Sequence, residues 1–116
     1  MGVRRRAVGN ITVLQLRGEF FGGDETDEMA TAIKDEAALG NTQLVLDLSE
    51  CSYMNSWAIA IILFGGRGIY YASHGEIKLC GPQGRVMNML VVTKTITLFA
   101  VYPTVDEAIV SFEGSP

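Results

Sequence analysis

The segment that most limits the possible folds is QLVLDL, residues 43–48, a short and nearly continuous apolar run. A strand with one face in water alternates apolar and polar residues, which this run does not do. Its pattern is typical of a strand that is covered or flanked on both sides in a parallel sheet. We therefore expect residues 43–48 to form the central strand of an α/β domain.

The remaining chain alternates strand-like and helix-like patterns around this run. Residues 3–8 and 11–16 flank Gly9-Asn10, a pair that favours a tight turn, and they predict an antiparallel hairpin. EIKLC (76–80) and TLFAVY (97–102) predict two more strands, and helical crossovers between successive strands make those strands parallel. The order of these strands and helices along the chain predicts one α/β domain over residues 1–116, with a mixed, mainly parallel sheet of about five strands and about four helices.

The first helix is predicted to begin with Asp24 as its cap and to end near Gly40. Its inner face would carry Met29, Ile33 and Ala37, and its outer face would be charged. The acidic residues of its first turn are explained by the helix dipole. We therefore expect neither a metal nor a cofactor there.

The second helix is predicted to follow Ser56. Gly65, Gly66 and Gly68 inside it indicate either that its backbone approaches a neighbour closely, which we favour, or that the helix bends or weakens near residue 66. The residues expected on its inner face are Ile59, Ile62, Leu63 and Tyr70.

Composition excludes several classes of function. The 116 residues suit one domain with a real core, and the net charge of -4 argues against binding nucleic acid. No apolar run reaches the roughly 18 residues of a membrane span, and the first residues lack the long apolar core that a signal peptide would have. Cys51 and Cys80 form no C-x-x-C pair, so we expect a cytoplasmic protein in a reducing environment.

One motif carries a resemblance to a known family. Residues 44–63, LVLDLSECSYMNSWAIAIIL, are similar to the signature of STAS domains of the anti-sigma factor antagonist type. In that signature a strand ending in Asp-Leu-Ser leads through a loop to Asp-Ser-Ser/Thr-Gly at the start of a helix. The likeness extends over almost the whole chain and includes LRGEF, IKLCG and LFAVYPTVDEAI.

The resemblance implies a cytoplasmic regulatory module that binds an anti-sigma factor or a related serine kinase, without being an enzyme. It implies that the kinase phosphorylates Ser56, that a PPM-type serine phosphatase reverses this step, and that the domain can self-associate with other STAS domains. The partner-binding residues expected from the resemblance are Asn55, Ser56, Trp57, Ala58, Phe21 and Asp24.

Four positions depart from the family pattern. Asn55 stands where the family usually has Asp, Trp57 where it has Ser or Thr, and Ala58 where it has Gly. Phe21 replaces an acidic residue that commonly follows the second strand. Trp57 would therefore place a large aromatic ring beside the phosphate acceptor, either packed against the sheet or exposed to a partner.

Three functional hypotheses follow. The first is a phosphorylation-switched partner of an anti-sigma kinase, and the second is a non-phosphorylated scaffold or sensor module that assembles with other STAS domains. The third is a small hydrolase that uses Ser56, but the G-x-S-x-G motif is missing and His74 stands alone. A simpler role for Ser56 is to cap the helix that it opens.

Overall fold

The computed structural model describes residues 2–113 and contains one five-stranded sheet with four α-helices. The elements are β1 (Val3–Val8), β2 (Ile11–Phe20), α1 (Asp24–Ala38), β3 (Gln43–Met54), α2 (Ser56–Ser73), β4 (Glu76–Cys80), α3 (Gly84–Val92), a 3-10 turn (Thr95–Thr97), β5 (Val101–Tyr102) and α4 (Val105–Glu113). The strands follow the spatial order β1-β2-β3-β4-β5, with β1 antiparallel to β2 and the other neighbours parallel. The predicted fold class and the central position of β3 are confirmed.

Both faces of the sheet are covered, as the apolar run predicts. Leu44, Leu46 and Leu48 belong to the larger core cluster, which includes residues of α1, α2 and α3. Val45 points the other way and packs in a smaller cluster with Ala108 of α4. Burying one such side chain contributes about 1.5–3 kcal/mol as an upper estimate, so this alternation anchors β3 on both sides.

The hairpin between β1 and β2 forms at the predicted turn. Val8 pairs with Ile11, and Gly9 between them has a φ of +60°. A positive φ is readily adopted by glycine, which explains the choice of residue here. The hairpin leaves β1 as one edge of the sheet, and β5 is the other.

Helix α1 ends near Gly40 as predicted, but its N-terminal cap and its inner face differ from the prediction. Gly23 is the cap and Asp24 is the first helical residue, so the expectation that Asp24 caps the helix is wrong. The predicted inner residue Ala37 is exposed, whereas Glu36 is buried. The inner face follows the spacing Met29, Ile33, Glu36, which is as compatible with a helical stripe as the predicted one.

The buried Glu36 is stabilised by partners far away in the sequence. Arg5 on β1 donates from Nε to Oε2 and from Nη2 to Oε1 at 3.2 Å, and Asn41 Nδ2 donates to Oε1 at 2.9 Å. Burial by itself would raise the pKa of Glu36, but the hydrogen bonds from Arg5 and Asn41 and the attraction to Arg5 hold it below its ordinary value. The carboxylate therefore ties α1 to the edge strand β1.

Helix α2 packs closely where its glycines allow it. A Cβ on Gly65 would lie 2.8 Å from Ile33 of α1, and a Cβ on Gly66 would lie 3.2 Å from Phe99. The predicted close approach is confirmed at these two positions, whereas a Cβ on Gly68 would have no described atom within 4 Å. Tyr70, expected on the inner face, is exposed.

The fifth strand is much shorter than TLFAVY predicts. Residues 95–97 form a 3-10 turn, and only Val101 and Tyr102 pair with β4. Phe99 packs partly buried against the main core rather than continuing a strand. Tertiary packing of Phe99 thus overrides the β-propensity of this segment.

Among residues 2–113, no helix is both long enough and apolar enough to cross a bilayer.

The Glu36 contacts predict a specific pH dependence of stability. Glu36→Gln should lower the free energy of unfolding at pH 7 by about 1–2 kcal/mol, because the charged hydrogen bonds to Arg5 are lost. The pKa of Glu36 is lower in the folded state, so its contribution is present above the ordinary value of 4.5 and is lost as the pH falls through the folded-state pKa. The difference from wild type should shrink over that range in urea titrations.

Asp35→Asn is the matched control, because Asp35 is an exposed carboxylate on the same helix. Its free energy of unfolding should stay within about 0.5 kcal/mol of wild type at every pH tested. A constant difference between Glu36→Gln and wild type down to pH 3 would contradict the proposed contribution of the Glu36 carboxylate.

Candidate functional site

The site lies where β2 and β3 end side by side. Phe20 at the end of β2 pairs with Met54 at the end of β3, and both side chains are fully buried. In parallel sheets, the loops after such strand ends form the usual binding edge. Here those loops are residues 21–23, which lead into α1, and Asn55, which leads into α2.

Asn55 makes four hydrogen bonds, two to the end of β2 and its loop and two to the first turn of α2. Its backbone N–H donates to the Phe20 carbonyl at 3.1 Å, and its side-chain Nδ2 donates to the Phe21 carbonyl at 2.8 Å. Its Oδ1 accepts the N–H of Ala58 at 3.0 Å and caps α2, while its carbonyl accepts the N–H of Ile59. A carboxylate could cap the helix in the same way, but it could not donate to Phe21. The asparagine therefore fixes the loop before α1 against the start of α2.

Ser56 is the first residue of α2, and its side chain is exposed. Because Asn55 caps the helix, the interpretation of Ser56 as the cap is wrong. In the described part of the chain, the Ser56 hydroxyl takes part in no hydrogen bond, since none of the side-chain bonds involves it. The hydroxyl is thus available at the positive end of an 18-residue helix whose first turn has no acidic residue.

The neighbouring predicted residues fall into an exposed group and a buried one. Trp57 is 57% exposed and Phe21 is 54% exposed, whereas the side chain of Ala58 is fully buried. A Cβ on Gly22 would lie 3.4 Å from Trp57 Cδ1, so the indole lies over the loop that Asn55 holds. The exposure of Trp57 decides against its packing on the sheet.

Asp24 stands at the start of α1 on the same edge of the sheet, with its side chain exposed. Within residues 2–113, no hydrogen bond or ion pair joins Asp24 to the residues around Ser56. Its position next to the loop of residues 21–23 is its one structural link to the site.

Tyr53 and Arg85 also lie on this edge, and they were not predicted from the sequence. The ring centroid of Tyr53 lies 5.1 Å from that of Phe21, and the guanidinium of Arg85 lies 4.6 Å from the centre of the Tyr53 ring. Arg85 comes from the first turn of α3, which also begins at the carboxyl end of a parallel strand. The rule that loops at this edge form sites could have suggested α3, but only the fold brings Arg85 to Tyr53.

The two cysteines are structural rather than reactive. Burial raises the pKa of Cys51 to about 11. Burial, followed by the nearby carboxylate of Asp47, raises the pKa of Cys80 to about 12. Both thiols therefore stay protonated at neutral pH, and Asp47, whose Oδ1 accepts the N–H of Ser49 at 3.0 Å, serves the strand rather than a reaction.

His74 lies at the far end of the helix that Ser56 opens. It is the C-cap of α2, with a φ of +57°. At about 1.5 Å per residue, the length of this helix separates the two residues by roughly 27 Å. His74 therefore cannot act as a base for Ser56 in the same chain.

The family model of the STAS domain matches residues 3–108. The chain belongs to the STAS domain family. A comparison with curated protein sequences finds no significant match.

Solved structures of anti-sigma factor antagonists share the fold of this STAS domain. A protein of Thermotoga maritima assigned to that class is 21% identical with a TM-score of 0.85, covering 94% of this chain and 92% of its own. The SpoIIAA structure in its unphosphorylated form is 20% identical with a TM-score of 0.74, covering 97% of this chain and 99% of its own. Bacillus SpoIIAA in its phosphorylated form is also 20% identical with a TM-score of 0.74, covering 95% and 98%.

The capping role of Asn55 in the STAS domain predicts unequal effects of two adjacent substitutions. Asn55→Ala removes the cap and the bond to Phe21, and should lower the free energy of unfolding by about 1–3 kcal/mol. Ser56→Ala removes an exposed hydroxyl with no partner and should cost less than about 0.5 kcal/mol. Asn55→Asp keeps the cap but loses the bond to Phe21, so it should lie between them.

Urea denaturation of the three variants measures this ranking. Equal losses for Ser56→Ala and Asn55→Ala would show that the cap has been assigned to the wrong residue.

Proposed function

We propose that this STAS domain binds an anti-sigma factor or a related serine kinase, and that phosphorylation of Ser56 releases the partner. A PPM-type serine phosphatase would restore the unmodified form. The observation that carries this proposal is the exposed, unbonded hydroxyl of Ser56 beside a helix cap that Asn55 already provides. Modifying Ser56 therefore disrupts no contact that the fold requires.

The start of α2 suits a phosphate group. Phosphorylation would add about -1.5 to -2 charge and three acceptor oxygens where the backbone N–H groups of Ser56 and Trp57 have no acceptor within the helix. The helix dipole favours an anion at this end. A protein of the same fold exists in a phosphorylated form, which supports compatibility of the fold with this modification.

The surface around Ser56 suits protein binding. Trp57 and Phe21 are exposed aromatic side chains on either side of the Asn55 bonds, and tryptophan and tyrosine often dominate binding energy at interfaces. The contact between Phe21 and Tyr53 restricts both rings before a partner arrives, which lowers the entropy lost on binding. Arg85 adds a positive charge that could pair with a carboxylate of the partner.

The remaining residues proposed to contact the partner have different roles. Asn55 would act by holding the loop of residues 21–23 in place, and Asp24 by presenting an exposed carboxylate at its end. Ala58 would contribute only through its backbone, because its side chain is buried.

The switch would act on the complex rather than on the fold. A phosphate in a contact surface has to lose part of its hydration, and it repels any acidic side chain that faces it in the partner. We expect a loss in binding free energy of about 2–4 kcal/mol, which is about thirtyfold to a thousandfold in affinity.

A second candidate function is a scaffold or sensor module that is not phosphorylated and assembles with other STAS domains. The bulky ring of Trp57 next to Ser56 favours it, because a kinase must accommodate that ring to reach the hydroxyl. The two functions differ in whether Ser56 is ever modified.

The switch is tested by titrating a purified anti-sigma kinase with unmodified, phosphorylated and Ser56→Asp protein in a calorimeter. Phosphorylation should weaken binding about thirtyfold to a thousandfold, and Ser56→Asp less, because it carries a smaller charge. Circular dichroism should show all three forms folded.

Labelling with radioactive ATP provides the control for the site. Ser56→Ala should abolish labelling, whereas Ser52→Ala, which changes another exposed serine nearby, should not. If the kinase binds both forms equally or never labels Ser56, the scaffold function becomes the better proposal.

Trp57 gives a separate prediction about the binding surface. Trp57→Ala should weaken partner binding by about thirtyfold, equivalent to about 2 kcal/mol, because an exposed aromatic anchor is lost. Its melting temperature should change little, since more than half of the side chain is exposed. Leu98→Ala, which changes an apolar residue that lies outside the site and is also more than half exposed, is the control and should bind normally.

A Trp57→Ala variant that melts far below wild type, yet binds the kinase normally when folded, would assign Trp57 to the core instead of the binding surface.

A further inference from the structure

One side of α2 carries an apolar stripe along the length of the helix. Its residues follow the spacing 4, 3, 4, 3 and form what we call the outer stripe: Trp57, Ile61, Phe64, Gly68 and Tyr71. Ile61 is half-buried against the main core, and the other four residues are exposed. The buried residues of the helix, such as Ile62 and Ile69, lie on the opposite side of the helical wheel. Phe64 is 67% exposed and Tyr71 is 73% exposed.

This face is unusual for a helix on the surface of a domain. A surface helix normally carries charged or polar residues on its outer side, and a helix that is apolar all round is normally buried. In the 18 residues of α2, Arg67 is the one charged residue, and it lies beside the outer stripe rather than in it. The outer stripe is therefore a candidate for contact with another molecule.

The outer stripe continues into an apolar groove between α1 and α2. The groove has a volume of about 310 Å³ and is lined mainly by apolar residues, Ala30 and Ile33 of α1 together with Ile61, Phe64 and Gly68 of the outer stripe. Lys34 of α1 is the charged residue in this lining. Its floor includes Gly65, which lets α1 and α2 approach closely. A protruding apolar side chain from another molecule can enter there.

We propose that the outer stripe is the interface of a weak homodimer, in which the α2 helices of two copies pack antiparallel. Its spacing is that of residues which meet in helix pairs, and its order is nearly the same in both directions. A two-fold axis beside Phe64 would bring the Phe64 rings of the two copies together. It would also place Trp57 against Tyr71 of the second copy, and Ile61 against the open space at Gly68 of the second copy.

This self-matching order favours a second copy over an unrelated partner. A two-fold interface uses the same surface on both molecules, so the surface must be complementary to itself. Large residues occupy both ends of the outer stripe, and the large Ile61 would oppose the small Gly68. A Cβ on Gly68 would have no described neighbour within 4 Å in the single chain, which leaves room for a side chain of the other molecule.

The charge distribution also favours this arrangement. Each chain carries a net charge of -4, so two copies repel each other except where they meet through uncharged surface. The outer stripe itself has no charged residue, and the charged residues beside it, Lys34 and Arg67, are basic, with the Arg67 guanidinium 6.0 Å from the centre of the Tyr71 ring. The neighbouring helix α1 carries Asp24, Glu25 and Asp27 in its first turn, which disfavours an anionic lipid surface as the occupant.

Tyr71 is already held in place before association. Its ring lies 5.6 Å from that of Tyr70 in an edge-to-face contact, and Tyr70 makes a similar contact with His74 at 5.4 Å. A side chain restrained in this way loses little entropy at an interface.

The exposed area of the aromatic residues in the outer stripe determines the affinity that we expect for the dimer. The aromatic residues Trp57, Phe64 and Tyr71 bury about 150–250 Å² each when covered, so at their exposed fractions they offer roughly 400 Å² per copy. A standard stable interface buries about 800 Å² per partner. The dimer should therefore be weak, with a dissociation constant between about 10 µM and 1 mM.

Analytical ultracentrifugation of the complete chain tests the dimer. Wild type should shift from the mass of one chain towards that of two as its concentration rises from about 5 µM to 1 mM. Phe64→Glu places like charges on the two-fold axis and should raise the dissociation constant at least tenfold. Val110→Glu, a change of an equally exposed apolar residue on α4 at the other face of the sheet, should leave dimerisation unchanged.

Gly68→Gln separates dimerisation from folding. It replaces a helix-interior glycine with a better helix former at a position without close neighbours, so the single chain should melt at the same or a higher temperature. The added side chain fills the space expected for Ile61 of the second copy, so the dimer should weaken. Added salt should strengthen or preserve the wild-type dimer, because it screens the repulsion between the two net charges.

Three results would overturn this proposal. Wild type could remain a monomer at 1 mM, or Val110→Glu could disrupt association as strongly as Phe64→Glu. Alternatively, the chain could bind phosphatidylcholine vesicles through Phe64 while staying monomeric in their absence, which would assign the outer stripe to lipid. The test requires no phosphorylation of Ser56 and no kinase, so its result is independent of the proposed switch.

Discussion

Strand β3 has to be buried on both faces, because its residues from Leu44 to Leu48 leave no side that could face water. Three helices cover one face and α4 covers the other, which requires helical crossovers and makes the neighbouring strands parallel. Because β2 and β3 are parallel and Phe20 pairs with Met54, the loops that follow these two residues lie at the same edge of the sheet. The location of the candidate site thus follows from the burial of β3 on both of its faces.

At that edge, Asn55 performs a role that an ionised aspartate in its place could not perform. Its side chain accepts the Ala58 N–H and donates to the Phe21 carbonyl, so one residue joins two loops. Compared with an aspartate, Asn55 lacks the negative charge that is favourable at a helix start, but it gains a hydrogen bond to the loop that carries Phe21. The exposed aromatic residues at Phe21 and Trp57 occur on both sides of this bridge, which suggests that the departures from the family pattern form one local arrangement.

The fold could be predicted because burial leaves a direct trace in the sequence, as residues 43–48 illustrate. Glu36 could not be predicted, because a carboxylate is buried only when a distant partner such as Arg5, 31 residues away, satisfies it. The position of Ser56 between a strand and a helix was predictable, but not its free hydroxyl, since Asn55 and Ser56 are both good caps. The contact between Tyr53 and Arg85 joins separate elements and has no local signal.

The two edges of the sheet have a consequence for how these domains meet. Strand β1 carries three consecutive exposed arginines at residues 4–6, and β5 has only two residues. Charged and very short edge strands are poor templates for the addition of a further strand from another molecule. Growth of a continuous intermolecular sheet, and the fibrous aggregation that can follow from it, is therefore disfavoured, and encounters between copies are directed to the helical surfaces.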